Sequence, residues 1–287
     1  MRNKETVKNY IYIATLAVSM LLLLVCEVFK KTIFGSGENA EAVYALATRA
    51  IGGVLCLVLV FYCSYQNILK IRGRGLLSAI LFTLPCWAVA LNNFPIIPYF
   101  SGRAYIDASA SAVLFYALQC LLVGVFEEMA FRGCIFTMVL QRKRKSKADM
   151  FWSIVISSAV FGAIHLVNIL VGASPVAVIL QIGYSFLIGG MCSVVLMKTG
   201  CIWHCVLLHA VYNFCGGVVP ELGGGTIWDT PTVVVTTVLA LAVTLYIVIS
   251  LTRIEPESLG YIFGEDEKKN IENTDQEKEV SDHSDLQ

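Results

Sequence analysis

Eight stretches of the chain are almost continuously apolar: residues 10–29, 43–65, 76–97, 109–139, 151–171, 176–197, 201–219 and 232–251. Each approaches the ~20 residues a helix needs to cross a bilayer's hydrocarbon core. The pattern predicts an all-α, polytopic membrane protein of about eight transmembrane helices. The third stretch is interrupted by Pro85, Pro95 and Pro98, so its helix is expected to kink or to end early. Pro175 and Pro231 stand just before runs, where a helix start accepts proline, and Pro220 closes the seventh run. The first run lacks a small-residue cleavage site, and more spans follow it. It reads as a retained helix and not a signal peptide.

Polar positions between the runs supply orientation. Arg2, Lys4 and Lys8 precede the first run, and Lys70, Arg72 and Arg74 follow the second. Arg142, Lys143, Arg144, Lys145 and Lys147 follow the fourth, Lys198 the sixth and Arg253 the eighth. Alternate loops carry only Lys30, Lys31, Arg49 and Arg103. Lys and Arg collect on the cytoplasmic side, so both termini are expected there, with an even number of spans. Composition agrees: 57% of residues are hydrophobic and 15% charged, against ~25% charged in soluble domains. A net charge of zero leaves no electrostatic footprint for nucleic acid. The ten cysteines sit mostly in apolar runs and read as small buried hydrophobes, not a disulfide framework. We divide the chain into N-terminal helices (1–108), a core of four helices (109–219), a last transmembrane helix (220–254) and an acidic cytoplasmic tail (255–287), expected to be disordered. No internal repeat is visible.

Candidate chemistry lies inside the apolar runs. Glu127, Glu128 and Arg132 lie inside the fourth. A charge at the bilayer centre costs roughly 2.5–3.5 kcal/mol, so three facing lipid would cost about 8–10 kcal/mol. Intramembrane ionisable groups therefore mark a site facing the protein interior. Glu128 and Arg132 are four apart and share a helical face, which gives them a structural pairing. Glu127 is turned ~100° away and has no such local partner, which suits a general base. His165 follows Ser158 and Gly162 at small-residue spacing, a pattern for close helix packing. His209 and Asn213 lie one turn apart on one face of the seventh run, and both can donate hydrogen bonds to an oxyanion. His204 is expected near the cytoplasmic interface, and His283 belongs to the tail.

One shared site would let Glu127 and His165 deprotonate a water while His209 and Asn213 stabilise the tetrahedral oxyanion. The alternative is Zn²⁺ held by His165, His209 and a glutamate with an open water position. The four-residue stripe Cys201, Cys205, His209 is compatible with a soft metal, though packing cysteines explain it more simply. Depth sets a condition. If the fourth helix stopped near Arg132, Glu127 and His165 would lie towards opposite faces. A long, tilted fourth helix continuing past Thr137 into the basic loop is therefore predicted.

Three motifs in order resemble one family. Glu127-Glu128-Met-Ala-Phe-Arg132 is similar to its Glu-Glu-x-x-x-Arg motif, Phe161-x-x-x-His165 to the second, and His209-x-x-x-Asn213 to the last. Gly189-Gly190 and the run Lys198-Thr-Gly-Cys-Ile-Trp203 also fit. The family is the CPBP group of intramembrane proteases, which includes type II CAAX prenyl endopeptidases and the bacteriocin-processing Abi proteins. The resemblance spans roughly 115–216. It implies an eight-helix fold around a polar intramembrane active site and hydrolysis of peptide bonds in membrane-associated proteins or peptides. Glu127 and His165 would be the water activators, His209 and Asn213 the oxyanion-stabilising groups, and Glu128 and Arg132 their supports. Zn would be the cofactor in a metalloprotease and absent in a glutamate-type enzyme. The expected setting is a bacterial cell membrane. Rival readings are a non-catalytic immunity or partner protein, in which the polar cluster only locks helices together, and a proton-coupled transporter, which would favour inverted repeats.

Overall fold

The computed structural model describes residues 2–29, 32–33, 35, 38–71 and 75–265. The tail from 266 onward, with His283, and the residues Lys30, Lys31, Arg72 and Arg74 lie outside the described residues, as do the side chains of Arg2, Lys4 and Lys8. Each apolar run falls on a long helix: α1 Arg2–Val28, α2 Glu38–Tyr62, α3 Leu76–Asn92, α4 Ala110–Glu128, α5 Lys147–Ile164, α6 Pro175–Thr199, α7 Ile202–Leu222 and α8 Thr230–Thr252. Among the described residues, six helices are long and apolar enough to cross a membrane; Tyr10–Cys26 and Leu76–Asn92 are shorter apolar helices. The protein is thus an integral, multi-pass, mainly helical membrane protein. Its only strands among the described residues are β1 Ala104–Ile106 and β2 Gly223–Gly225, paired antiparallel with Ala104 opposite Gly225.

α3 carries Pro85 inside it and stops at Asn92, before the end of the apolar run. α7 runs past Pro220 to Leu222, so that proline occupies the last turn instead of ending the helix. α4 does not end at Glu128. It passes through a π-helical stretch, Met129–Phe136, and resumes as Thr137–Lys143, a continuous helix of 34 residues. The wide turn is closed by the Thr137 N–H donating to the Arg132 carbonyl, an i→i−5 bond. Glu127 lies 16 residues from the end of this helix and His165 lies 18 beyond the start of α5. At 1.5 Å per residue these are about 24 and 27 Å from the shared loop. The two reach the same depth because the fourth helix is long.

Small residues set how closely the helices pack. A Cβ on Gly124 of α4 would lie 2.8 Å from the Val206 carbonyl oxygen of α7, and one on Gly162 of α5 would lie 3.0 Å from the Ile182 carbonyl oxygen of α6. The main core gathers Phe126, Met129, Phe131 and Cys134 of the fourth helix with Phe161, Cys192, Val195, Cys205 and Leu208.

The tail boundary expected at residue 255 needs correction. Pro256–Ile262 forms a 3₁₀ segment, Leu259 and Ile262 are fully buried, and Ile254 and Phe263 join the main core. Ionic contacts hold this segment to the loop between α4 and α5: Lys147 Nζ lies 2.7 Å from Glu255, and Arg144 pairs with Glu265. The tail's composition hid the apolar anchors Leu259, Ile262 and Phe263.

Candidate active site

The fourth helix brings Glu127 and Glu128 to the centre of the bundle. Glu128 and Arg132 are both fully buried, and Arg132 Nη1 donates to Glu128 Oε1 at 2.9 Å. This is the i,i+4 pair read from the sequence. Phe161 of α5 lies under the guanidinium, 4.5 Å from ring centroid to Cζ, a cation–π contact that compensates part of the burial. Gly189 of α6 makes the space: a Cβ there would be 2.9 Å from Arg132 Nη2 and 3.0 Å from Ser158 Oγ.

α7 adds His209, which is buried and sits between the two carboxylates. Its Nδ1 lies 2.7 Å from Glu128 Oε1 and its Nε2 3.4 Å from Glu127 Oε2. Glu127 thus has a partner after all, supplied from a separate helix. With Nδ1–H donating to Glu128, Nε2 is turned towards Glu127. The Arg132 guanidinium and the His209 imidazole between them give both carboxylates a partner, and buried charge is tolerated only when so paired.

Phe161 also spaces the two imidazoles. Its ring centroid is 5.5 Å from that of His165 and 5.7 Å from that of His209. Glu127, His165, His209 and Asn213 all line one cavity of about 960 Å³. Its walls come from α2, α3, α4, α5, α6, α7 and α8, and apolar side chains such as Leu187, Leu239 and Val243 make up much of them. Glu127, His165 and Asn213 are partly exposed to this space, whereas Glu128 and Arg132 are sealed beneath it. Asn93 reaches in from beyond α3 and donates to the Tyr212 carbonyl at 2.8 Å, a bond for which Gly216 leaves room. Tyr184 and Tyr212, with ring centroids 6.0 Å apart, face the same cavity. Asn93 and these tyrosines belong to no motif: Asn93 falls where Pro95 and Pro98 break its run, and tyrosines also gather at membrane interfaces.

The zinc arrangement expected at His165 and His209 can be tested on donor geometry. Both nitrogens of His209 are turned to carboxylates. Among the described residues, the group of three His, Cys, Asp or Glu donors gathered within 4.8 Å is Glu128, Cys192 and Cys205. His165, His209 and Glu127 do not form such a group as arranged. The stripe Cys201, Cys205, His209 does not assemble either, because Cys205 turns to α6 and His209 to α4. His204 lines a separate recess of about 250 Å³ with Ser78, Lys198 and Tyr261.

Residues 109–215 match the family model of the type II CAAX prenyl endopeptidase Rce1-like proteins, a protease family. The matched segment contains Glu127, Glu128, Arg132, His165, His209 and Asn213. No curated protein matches the chain.

Proposed function

We infer, for a chain whose residues 109–215 belong to the Rce1-like type II CAAX prenyl endopeptidase family and so to the CPBP group, that it is an intramembrane endopeptidase of the glutamate type. The observation that carries this is the convergence of Glu127, His165, His209 and Asn213, from three separate apolar helices, on one cavity. In this reading Glu127, assisted by His165, takes a proton from a water as its oxygen attacks the scissile carbonyl carbon. Negative charge develops on the carbonyl oxygen. Protonated His209 and the Asn213 amide donate hydrogen bonds to it. Proton uptake by Glu127 cancels its hold on His209 Nε2–H at the moment the oxyanion needs that donor. Glu127 then passes the proton to the leaving amine as the C–N bond breaks. Glu128 and Arg132 fix the Nδ1 side of His209 and so aim its ring.

The substrate class follows from the cavity's lining and place in the bundle. Apolar walls suit a membrane-associated peptide or protein, including one carrying a lipid chain as CAAX substrates do. The Lys and Arg distribution supports a cytoplasmic location for both termini, and the resemblance suggests a bacterial cell membrane.

The test compares membrane-peptide proteomes of cells carrying the wild-type chain and Glu127→Gln. Cleavage products are expected to fall by about 10²–10⁴-fold, the usual contribution of a general base, while the variant stays folded. Unchanged products in Glu127→Gln and His209→Ala would instead identify a non-catalytic membrane partner.

A further inference from the structure

Beneath the site, α6 and α7 bring two thiols against Glu128. Cys192 and Cys205 are fully buried, Cys205 Sγ lies 3.1 Å from the Cys192 carbonyl oxygen, and one donor atom from each of Cys192, Cys205 and Glu128 lies within 4.8 Å of the other two. Glu128 Oε1 is occupied by Arg132 and His209. Its Oε2 is buried without a hydrogen-bond partner. A buried carboxylate oxygen left without a partner is costly and calls for an explanation. The proposed hydrolysis uses neither this oxygen nor the two thiols, which otherwise serve only as core packing.

We propose that Cys192, Cys205 and Glu128 form a binding site for a thiophilic divalent cation of the Zn²⁺ or Cd²⁺ class. Thiolates select soft or borderline metals. A tetrahedral ion with metal–sulfur bonds of about 2.3 Å sets its sulfurs about 3.8 Å apart, so a trio within 4.8 Å closes on the ion by side-chain adjustments of about half an ångström each. Charge balances as well. Two thiolates and the Glu128 carboxylate bring three negative charges, against two from the ion and one from Arg132. Binding requires both thiols to lose their protons, which leave to solvent. The site is distinct from the His165 and His209 arrangement. The free Glu128 Oε2 takes this duty while Oε1 stays with Arg132 and His209.

The experiment is titration of purified, detergent-solubilised full-length protein with Cd²⁺ under reducing, anaerobic conditions, read by the ultraviolet thiolate-to-metal charge-transfer band. This readout stands whether or not the protein cleaves peptides. One equivalent is expected to give the band, and Cys192→Ala/Cys205→Ala to abolish it, because the band needs a thiolate on the metal. A variant with the eight other cysteines replaced is expected to keep it. Should the double variant fail to fold, the single variants Cys192→Ser and Cys205→Ser serve: each is expected to weaken the band, whereas Cys201→Ser and Cys215→Ser are expected to leave it unchanged. A missing band, a band that survives in the double variant, or single variants that all weaken it equally overturns the proposal. A band in an otherwise proteolytically inert protein would leave this site standing while removing the hydrolase reading.

Discussion

Arg132 carries its guanidinium wholly away from solvent, with Glu128 at 2.9 Å and the Phe161 ring beneath it. Removing one partner of a buried ion pair costs about 3–5 kcal/mol, because the other charge is left uncompensated. Arg132→Ala is therefore expected to lower the melting temperature markedly in detergent as well as to abolish cleavage. Glu127→Gln is expected to melt like the wild type. Glu127 is partly exposed to the cavity, and glutamine keeps its shape and a side-chain oxygen for His209. Thermal unfolding of the two variants side by side separates the supporting residue from the reacting one. A sequence gives the first half of this distinction, since four-residue spacing on a helix is local geometry.

Three of the long helices begin at side-chain caps. Ser109 caps α4 by accepting from the Ala112 N–H at 3.3 Å, and Ser146 caps α5 by accepting from the Asp149 N–H at 3.2 Å. Asp229 caps α8, accepting from the Thr232 N–H at 2.9 Å and pairing with Arg103 at 2.6 Å. Hydrogen bonding by Thr232, then by Arg103, holds the Asp229 carboxyl below the usual carboxylate range. A carboxyl with a depressed folded-state pKa stabilises fully above its unfolded value of about 3.9, and loses that contribution as pH falls through the folded value. Asp229→Ala is thus expected to melt below the wild type at pH 7, and the difference to shrink as pH drops below about 4. Thermal melts across that range check it. The π-helical stretch in the fourth helix had no such local signature. Such wide turns gather at functional sites, and this one lies between the glutamates and the helix's basic end.

At the scale of the molecule, the segment after α8 fastens the basic end of the bundle. Leu259 and Ile262 are buried in the core, the Tyr261 hydroxyl donates to the Met197 carbonyl, and Tyr65 and Phe263 meet edge to face with centroids 6.3 Å apart. Full burial of a large aliphatic side chain contributes about 1.5–3 kcal/mol. A chain truncated after Ile254 is accordingly expected to lose about 3–6 kcal/mol from Leu259 and Ile262 alone, read as a lower melting temperature and faster proteolysis at the loop between α4 and α5. Composition drew the tail's boundary at 255 because a few buried anchors barely change the average of a polar stretch.

Hydrophobic runs, the cost of charge in lipid and the spacing of Glu128 from Arg132 and of His209 from Asn213 were all written in the sequence, because each depends on the chain alone or on the pitch of one helix. The meeting of His209 with Glu128 joins residues 81 apart, and the trio of Cys192, Cys205 and Glu128 joins three helices. These contacts depend on how each helix is rotated about its axis. Helices apolar on all sides carry little periodic signal for that rotation, and in a bilayer it is decided by close packing at small residues such as Gly124, Gly162 and Gly189. Tertiary packing alone therefore decided which imidazole nitrogen faces which carboxylate.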